Sequence, residues 1–293
     1  MIEKTAEDGV KVKPLKLTGI GLRSQHYADF LSQRPPVAWV EVHSENYFGE
    51  GGKALQTLEK VRRDYPVSLH SVSLSLGSAD ELNWQHLKKL RDLVSRIDPC
   101  LLSDHLCWSS INGQYLHDLL PLPHTSETLE HIVSRIQQIQ DFFHRQILIE
   151  NISSYVEFPH SPMKEQEFIV EVARQSGCGI LLDINNIYVS AANLGHDAED
   201  YLYGIPKEIV HEIHLAGCST TRVQEKDLLI DSHDKPVLPA VWDLFRKAVQ
   251  HFGIKPVMIE WDTDLPSLET LCLEAQHAEN ILRETYVPAK HTG

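Results

Sequence analysis

Acidic and imidazole side chains recur where short apolar segments of this 293-residue chain end. Glu150 directly follows the residues ILI, Asp183 follows ILL, and Glu260 follows VMI. His214 lies in the segment VHEIHLAG, where strand alternation places it opposite to its apolar neighbour. Mixed histidine and carboxylate ligation suits iron, manganese or zinc better than it suits metals that prefer thiolates. These residue types therefore predict a metal centre.

Asp231 and His233 give the most specific local signal for a metal. They stand two residues apart, so both side chains can reach one ion from an extended loop. His43 and His70 are weaker candidates, since a single histidine at a strand end is more often a hydrogen-bonded core residue. Asn186 offers an amide, which is a weaker ligand, and a purely hydrogen-bonding role stays open for it.

Four further polar residues near the same segment ends have roles that the sequence leaves undecided. Asp104 and His105 are neighbours, and neighbours in a strand face opposite ways, so one would point at the site and the other away. Glu45 follows the second apolar segment and has no decisive feature. His196 follows the sixth segment, and a substrate-facing role stays open for it.

Eight short apolar segments alternate with segments of helical period, which indicates the elements that position these residues. The apolar segments span residues 17–23, 37–46, 67–77, 101–110, 147–155, 179–190, 210–219 and 256–262. Helical periodicity covers residues 54–65, 84–97, 126–143, 164–177 and 238–253. Continuous apolar segments suit parallel strands that are buried on both faces. Eight such strands predict an α/β fold, a single-domain (β/α)₈ TIM barrel.

In such a barrel the side chains at the strand ends meet at one rim, where active sites lie. Burying many carboxylates and imidazoles together without a cation would be costly, so several metal ions are expected. A doubly wound open sheet is the competing fold, but no GxGxxG follows the first strand. We predict a barrel over residues 15–285, a flexible N-terminal tail at 1–14 and a C-terminal tail at 286–293.

Composition excludes several classes of partner and location. The net charge of −14 argues against nucleic acid, which requires a basic face, and suits a site for cations. The five cysteines form no CxxC pair, which favours a reducing compartment over a disulfide framework. No signal peptide and no apolar run of about 18 residues is visible, so we expect a cytoplasmic protein without membrane contact.

The order of the motifs resembles a known family. EVHSENYF, the LH of the third segment, SDHLCW, LIENISSY, LLDINNIYVSAAN, IHLAG, DSHD and IEWD follow one another along nearly the whole chain. They resemble the multinuclear non-haem iron-dependent oxidative enzymes, a bacterial family that includes the iron subunit of methanobactin biosynthesis.

The resemblance implies a xylose-isomerase-like TIM barrel with two or three iron ions at its C-terminal rim. It implies dioxygen-dependent oxidation of cysteine residues in a ribosomally made precursor peptide, with a small helical partner protein that presents the leader. The ligands implied by the match are His43, His70, Glu150, Asp183, Asn186, His214, Asp231, His233 and Glu260.

Two other classes of function fit the same residues. The ligand order also resembles trinuclear zinc barrels of the endonuclease IV type and sugar isomerases, in which zinc or manganese would support hydrolysis or proton transfer. The acidic charge argues against DNA, and Asn186 stands where the nuclease pattern has a histidine. A non-catalytic metal-binding scaffold would instead have a filled coordination sphere and no pocket.

Overall fold

The computed structural model describes residues 17–285 of the chain. The predicted tails at 1–14 and 286–293 lie outside these residues, and the predicted domain boundaries stay a prediction. Within the described part, no helix is both long and apolar enough to cross a bilayer.

Eight parallel strands close into a barrel, which confirms the predicted α/β fold. We number the barrel strands β1 (Thr18–Gly21), β2 (Val40–His43), β3 (Val67–His70), β4 (Leu101–His105), β5 (Leu148–Glu150), β6 (Gly179–Asp183), β7 (Val210–Leu215) and β8 (Val257–Ile259). Each strand pairs with its neighbours in chain order, and β8 pairs with β1 to close the barrel. All eight predicted segments therefore contain a barrel strand.

Helices cover the outside of the barrel. They are α1 (Tyr27–Gln33), α2 (Lys53–Arg62), α3 (Trp84–Ile97), α4 (Ser126–Phe143), α5 (Glu165–Ser176), α6 (Ile184–Leu194), α7 (Ala198–Tyr203), α8 (Pro239–Phe252) and α9 (Leu268–Thr285). Asn83 caps α3 by accepting a hydrogen bond from the His86 amide at 3.1 Å. Gly177 ends α5 in the left-handed conformation, which glycine adopts without strain.

The apolar stripe of α3 shows how the helices attach to the barrel. Leu87, Leu90, Leu93 and Ile97 recur at helical spacing, and all four are buried. Burying each of these side chains contributes roughly 1.5–3 kcal/mol. The outer helices thus hold the barrel strands rigidly, and with them the polar side chains at the rim.

Two antiparallel hairpins project from the βα loops that follow β4 and β7. The first hairpin pairs Trp108–Ile111 with Gln114–Leu120, and the second pairs Ser219–Val223 with Lys226–Ile230. The first hairpin begins inside the predicted apolar segment 101–110, which therefore contains parts of two strands. Because active sites of this fold lie on the βα loops, both hairpins border the predicted site.

Candidate metal centre

Side chains from successive strands converge inside the C-terminal end of the barrel. Parallel register places His43 beside His70, His105 beside Glu150, and Asp183 beside His214. Glu260 directly follows β8, and its amide donates to the Leu215 carbonyl at 2.9 Å. The predicted convergence at one rim is confirmed for these residues.

The first ligand group consists of His70, His105 and Glu150. The Nε2 atoms of His70 and His105 lie 3.3 Å apart, and they lie 3.3 and 3.4 Å from Oε2 of Glu150. All three side chains are buried. Three ligand atoms at these separations can bind one metal ion with bond lengths of about 2.0–2.1 Å.

The second ligand group consists of Glu150, Asp183, His214 and Glu260, and it shares Glu150 with the first. Nδ1 of His214 lies 3.2 Å from Oε2 of Glu260 and 3.8 Å from Oε1 of Glu150. One oxygen of Glu150 therefore faces the first group and the other faces the second. A carboxylate in this position can bridge two cations.

Buried polar atoms without partners indicate that these groups fit cations. Oε2 of Glu150 and Oδ2 of Asp183 have no hydrogen-bond partner among the described residues. A buried carboxylate oxygen without a partner is costly unless something else compensates its charge. The donor set contains only nitrogen and oxygen, which suits iron, manganese or zinc.

Burial shifts the pKa values of four side chains in these two groups. Burial and the neighbouring His105 lower the pKa of His70 well below its ordinary value, and burial lowers the pKa of His105 to about 4. Both imidazoles are therefore neutral near pH 7, as ligands must be. Burial raises the pKa of Glu150 well above its ordinary value, and burial with the charge of Asp231 raises the pKa of Asp183 to about 7. A bound cation would offset both shifts, because its charge stabilises the ionised carboxylates that burial disfavours.

Asn186 lies beside the second group but is engaged in hydrogen bonds. Its side-chain oxygen accepts from the Ser153 hydroxyl at 2.7 Å, and its amide nitrogen donates to the Asn151 carbonyl at 2.9 Å. Its backbone amide also donates to Asp183, which caps α6, at 2.6 Å. These contacts hold the first turn of α6 against the loop after β5, and a ligand role for Asn186 stays a prediction.

His43 belongs to a third group, with Glu260 and Asp262, that already contacts a cation. The Arg23 guanidinium donates to Asp262 and lies 3.1 Å from Nε2 of His43. A guanidinium keeps its charge in proteins. A metal ion on Nε2 of His43 would therefore have to displace Arg23.

Asp231 and His233 contact each other. Oδ1 of Asp231 lies 2.7 Å from Nε2 of His233, while Nδ1 of His233 lies 3.1 Å from Asp262 and 3.6 Å from Glu260. The pair therefore covers the second group from the loop after the second hairpin. It would hold a third ion only after the contact between its two members opens.

The structure separates the residues that the sequence left undecided. His105 points into the first group, whereas Asp104 accepts hydrogen bonds from the amides of Leu74 and His105 at 3.0 and 2.7 Å. Glu45 accepts from Ser71 and Val72 and contacts His86, outside the groups. His196 lies on the surface against Glu157, at 2.7 Å.

Two fully buried carboxylates below the second group were missed by the sequence analysis. Glu41 and Glu212 form a further group with His214. Each precedes a histidine by two residues, in the sequences EVH and EIH, and therefore points to the same side of its strand. This repeated spacing is the signal that could have identified them.

Gly217 positions the loop that carries Asp231 and His233, and its replacement by alanine is expected to destabilise the protein. The Gly217 carbonyl accepts from the His233 amide at 3.1 Å, and an added Cβ would lie 2.0 Å from the Lys235 carbonyl oxygen. We expect a loss of about 1–3 kcal/mol in the free energy of unfolding, measured with urea. Gly51→Ala is the matched control because nothing lies within 4 Å of its Cβ position. Equal stability of the two variants would contradict the role of Gly217.

Comparison with known proteins identifies the family. The model of the RiPP precursor modification enzymes MbnB/TglH/ChrH matches residues 17–283, which include every residue of the groups described above. The chain belongs to this family. Its members are described as enzymes that modify the precursors of ribosomally synthesised, post-translationally modified peptides.

Relatives of similar length support the membership. A UPF0276 protein from Acaryochloris marina is 48% identical over 274 residues, which cover 93% of this chain and 97% of the relative. A UPF0276 protein from Anaeromyxobacter sp. is 50% identical over 263 residues, covering 90% and 92%. The family thus extends over the whole barrel.

Solved structures share the fold at low sequence identity. D-psicose 3-epimerase from Clostridium cellulolyticum H10 with D-tagatose superposes with a TM-score of 0.61 at 12% identity, over 92% of this chain and 98% of that chain. A xylose isomerase-like TIM barrel protein from Mycobacterium smegmatis in complex with magnesium gives 0.59 at 12% identity, over 91% of each chain. At this identity the likeness shows the (β/α)₈ barrel fold alone.

Proposed function

We propose that this protein is a multinuclear iron-dependent oxidase that uses dioxygen to modify cysteine residues of a ribosomally made precursor peptide. The observation that carries the proposal is the shared carboxylate of Glu150, which joins two ligand groups in a member of a peptide-modifying family. The first group, with two histidines and one carboxylate, has the composition that binds non-haem iron(II) with open positions.

The proposed ligands of the two bridged iron positions are the members of the first and second groups. His70, His105 and Glu150 would hold one iron, and Glu150, Asp183, His214 and Glu260 would hold the other. When bound, iron would supply a site for the substrate thiolate and for activation of dioxygen. In the same proposal, a third position would be completed by Asp231, His233, Asn186 and His43.

The surroundings of the two groups suit a peptide substrate. Apolar side chains are exposed on the first hairpin and on the loop after β5, among them Tyr115, Leu116, Val156 and Phe158. A cavity of about 430 Å³ opens beside α6, with Leu122, Phe158, Met163 and Leu194 among its lining residues, and its lining includes no member of the two ligand groups. Such a surface can bind the residues that flank a cysteine, and the cavity can receive one apolar side chain.

The residues of the chain would orient and protect the reacting cysteine. The first and second groups are almost completely buried at the end of the barrel, so a peptide that covers the rim would exclude water from them. His70 and His105, neutral near pH 7, each have a lone pair that can bind a cation. Dioxygen is the oxidant in this scheme, and a small helical partner would present the peptide leader.

The proposal is tested by metal analysis and by a mass shift in the substrate. Protein purified without oxygen should contain iron. With oxygen and a short cysteine-containing peptide encoded beside the gene, it should consume oxygen and change the mass of that peptide. The same mixture without oxygen should give no product. Product formed without oxygen, or activity that depends on zinc, would instead favour a hydrolase or isomerase.

A further inference from the structure

His214 is held between two sets of carboxylates inside the barrel. Its Nδ1 is hydrogen-bonded to Oε2 of Glu260 at 3.2 Å and lies 3.8 Å from Oε1 of Glu150, both in the second group. Its Nε2 faces Glu41 and Glu212 below that group, at 3.5 and 3.6 Å. None of the atoms of His214, Glu41 and Glu212 is exposed to solvent.

Glu41 and Glu212 have few other contacts among the described residues. Neither oxygen of Glu212 has a hydrogen-bond partner among the described residues, and Oε1 of Glu41 has none either. Oε2 of Glu41 accepts from the Ser68 hydroxyl at 3.0 Å. Two buried carboxylates with so few partners are costly to the fold, which indicates that they serve the site above them.

We infer that Glu41 and Glu212 are positioning residues that fix His214 as a metal ligand through Nδ1. A neutral imidazole carries its proton on one nitrogen and offers a lone pair on the other. When a cation occupies the second group, Nδ1 must offer it a lone pair, so the proton of His214 lies on Nε2, which faces Glu41 and Glu212. The carboxyl oxygens on that side would then accept a hydrogen bond from Nε2, fix the ring and make His214 a stronger ligand.

This inference rests on the metal site of the proposed function but not on the oxidation of a peptide. Cobalt(II) is a suitable probe because its visible absorption reports the ligand set without oxygen or substrate. Glu212→Gln and Glu41→Gln keep the shape of each side chain and remove its charge. The matched control is Glu279→Gln, since Glu279 is a buried carboxylate that accepts from Leu17 and Thr18 at the far end of β1.

We expect Glu41→Gln and Glu212→Gln each to bind cobalt(II) about 10–100-fold more weakly than the wild type, as measured in competition with a chelator. At saturating cobalt(II), the absorption spectra of Glu41→Gln and Glu212→Gln should also differ from that of the wild type. The control Glu279→Gln should keep the cobalt affinity and the spectrum of the wild type. Without metal, Glu41→Gln and Glu212→Gln should unfold at the same urea concentration as the metal-free wild type or at a higher one, because a buried charge is removed. A purely structural role would instead lower their stability.

The possible results separate this inference from the proposed function. If Glu41→Gln and Glu212→Gln both kept the cobalt affinity and the absorption spectrum of the wild type, the inferred role of Glu41 and Glu212 would be wrong. A cobalt ion bound between Glu41 and Glu212 in crystals of the wild type would also overturn it, since the pair would then be a metal site itself. The variants could lose cobalt affinity as expected while the wild type oxidises no peptide. This result would support the inference and contradict only the proposed oxidase function.

Discussion

Glu150→Gln is expected to abolish metal binding in both ligand groups at once. Glu150 is the residue that the two groups share, with Oε2 facing His70 and His105 and Oε1 facing His214. The neutral amide keeps the shape of the side chain but loses the charge that a bridging ligand needs. We expect metal affinity to fall by at least about 100-fold, beyond the loss typical of residues that only support ligands.

The measurement is the metal content after dialysis and the rate of oxygen consumption with peptide. Glu45→Gln is the matched control, because Glu45 is a rim carboxylate that hydrogen-bonds to Ser71 and Val72 outside both groups. The control should keep the metal content of the wild type. If Glu150→Gln retained a full complement of metal, Glu150 would not be a bridging ligand.

Removing the metal with a chelator is expected to lower the melting temperature by roughly 10 °C. Burial of Glu150 and Asp183 opposes their ionisation, and a cation compensates the charge that they carry. A ligand at about 1,000 times its dissociation constant stabilises a protein by about 4 kcal/mol. Each kcal/mol corresponds to about 2–4 °C in a chain of roughly this size.

Calorimetry of the loaded, chelated and reloaded protein measures this change. Reloading with iron(II) without oxygen should restore the melting temperature, whereas Glu150→Gln should show little response to either treatment. A melting temperature that is the same with and without metal would show that the buried groups gain nothing from a cation. The interpretation of their unpartnered oxygens would then be wrong.

Most of the barrel could be predicted from the sequence because parallel strands buried on both faces are continuous apolar segments. The ends of the elements were less visible. The segment 179–190 was assigned to one strand, but β6 ends at Asp183 and α6 begins at Ile184. The carboxylate of Asp183 accepts from the Asn186 amide and so starts the helix within an apolar stretch.

The first hairpin was missed although a signal was present. Asn112 and Gly113 both have positive φ at its tip, and an Asn-Gly pair is a strong indication of such a turn. The apolar residues of β4 run on into the hairpin, which concealed the break between them. The second hairpin has Gln224 with positive φ at its tip, a residue that gives no comparable signal.

The types of residue at the rim were predictable, but their directions were not. The sequence could not decide between Asp104 and His105, because the choice depends on the register between neighbouring strands. The pairing of His105 with Glu150 decides it. Likewise, only the folded chain reveals that Arg23, from the loop after β1, lies against His43.

We propose that Glu150 bridges two metal ions, one in each of the two ligand groups. Crystals of protein loaded with iron(II) without oxygen, measured with X-rays on either side of the iron absorption edge, test this claim most directly. We predict two iron peaks, one beside His70 and His105 and one beside Asp183 and His214, each within about 2.0–2.2 Å of a Glu150 oxygen. A single iron, or irons that do not contact Glu150, would contradict the account.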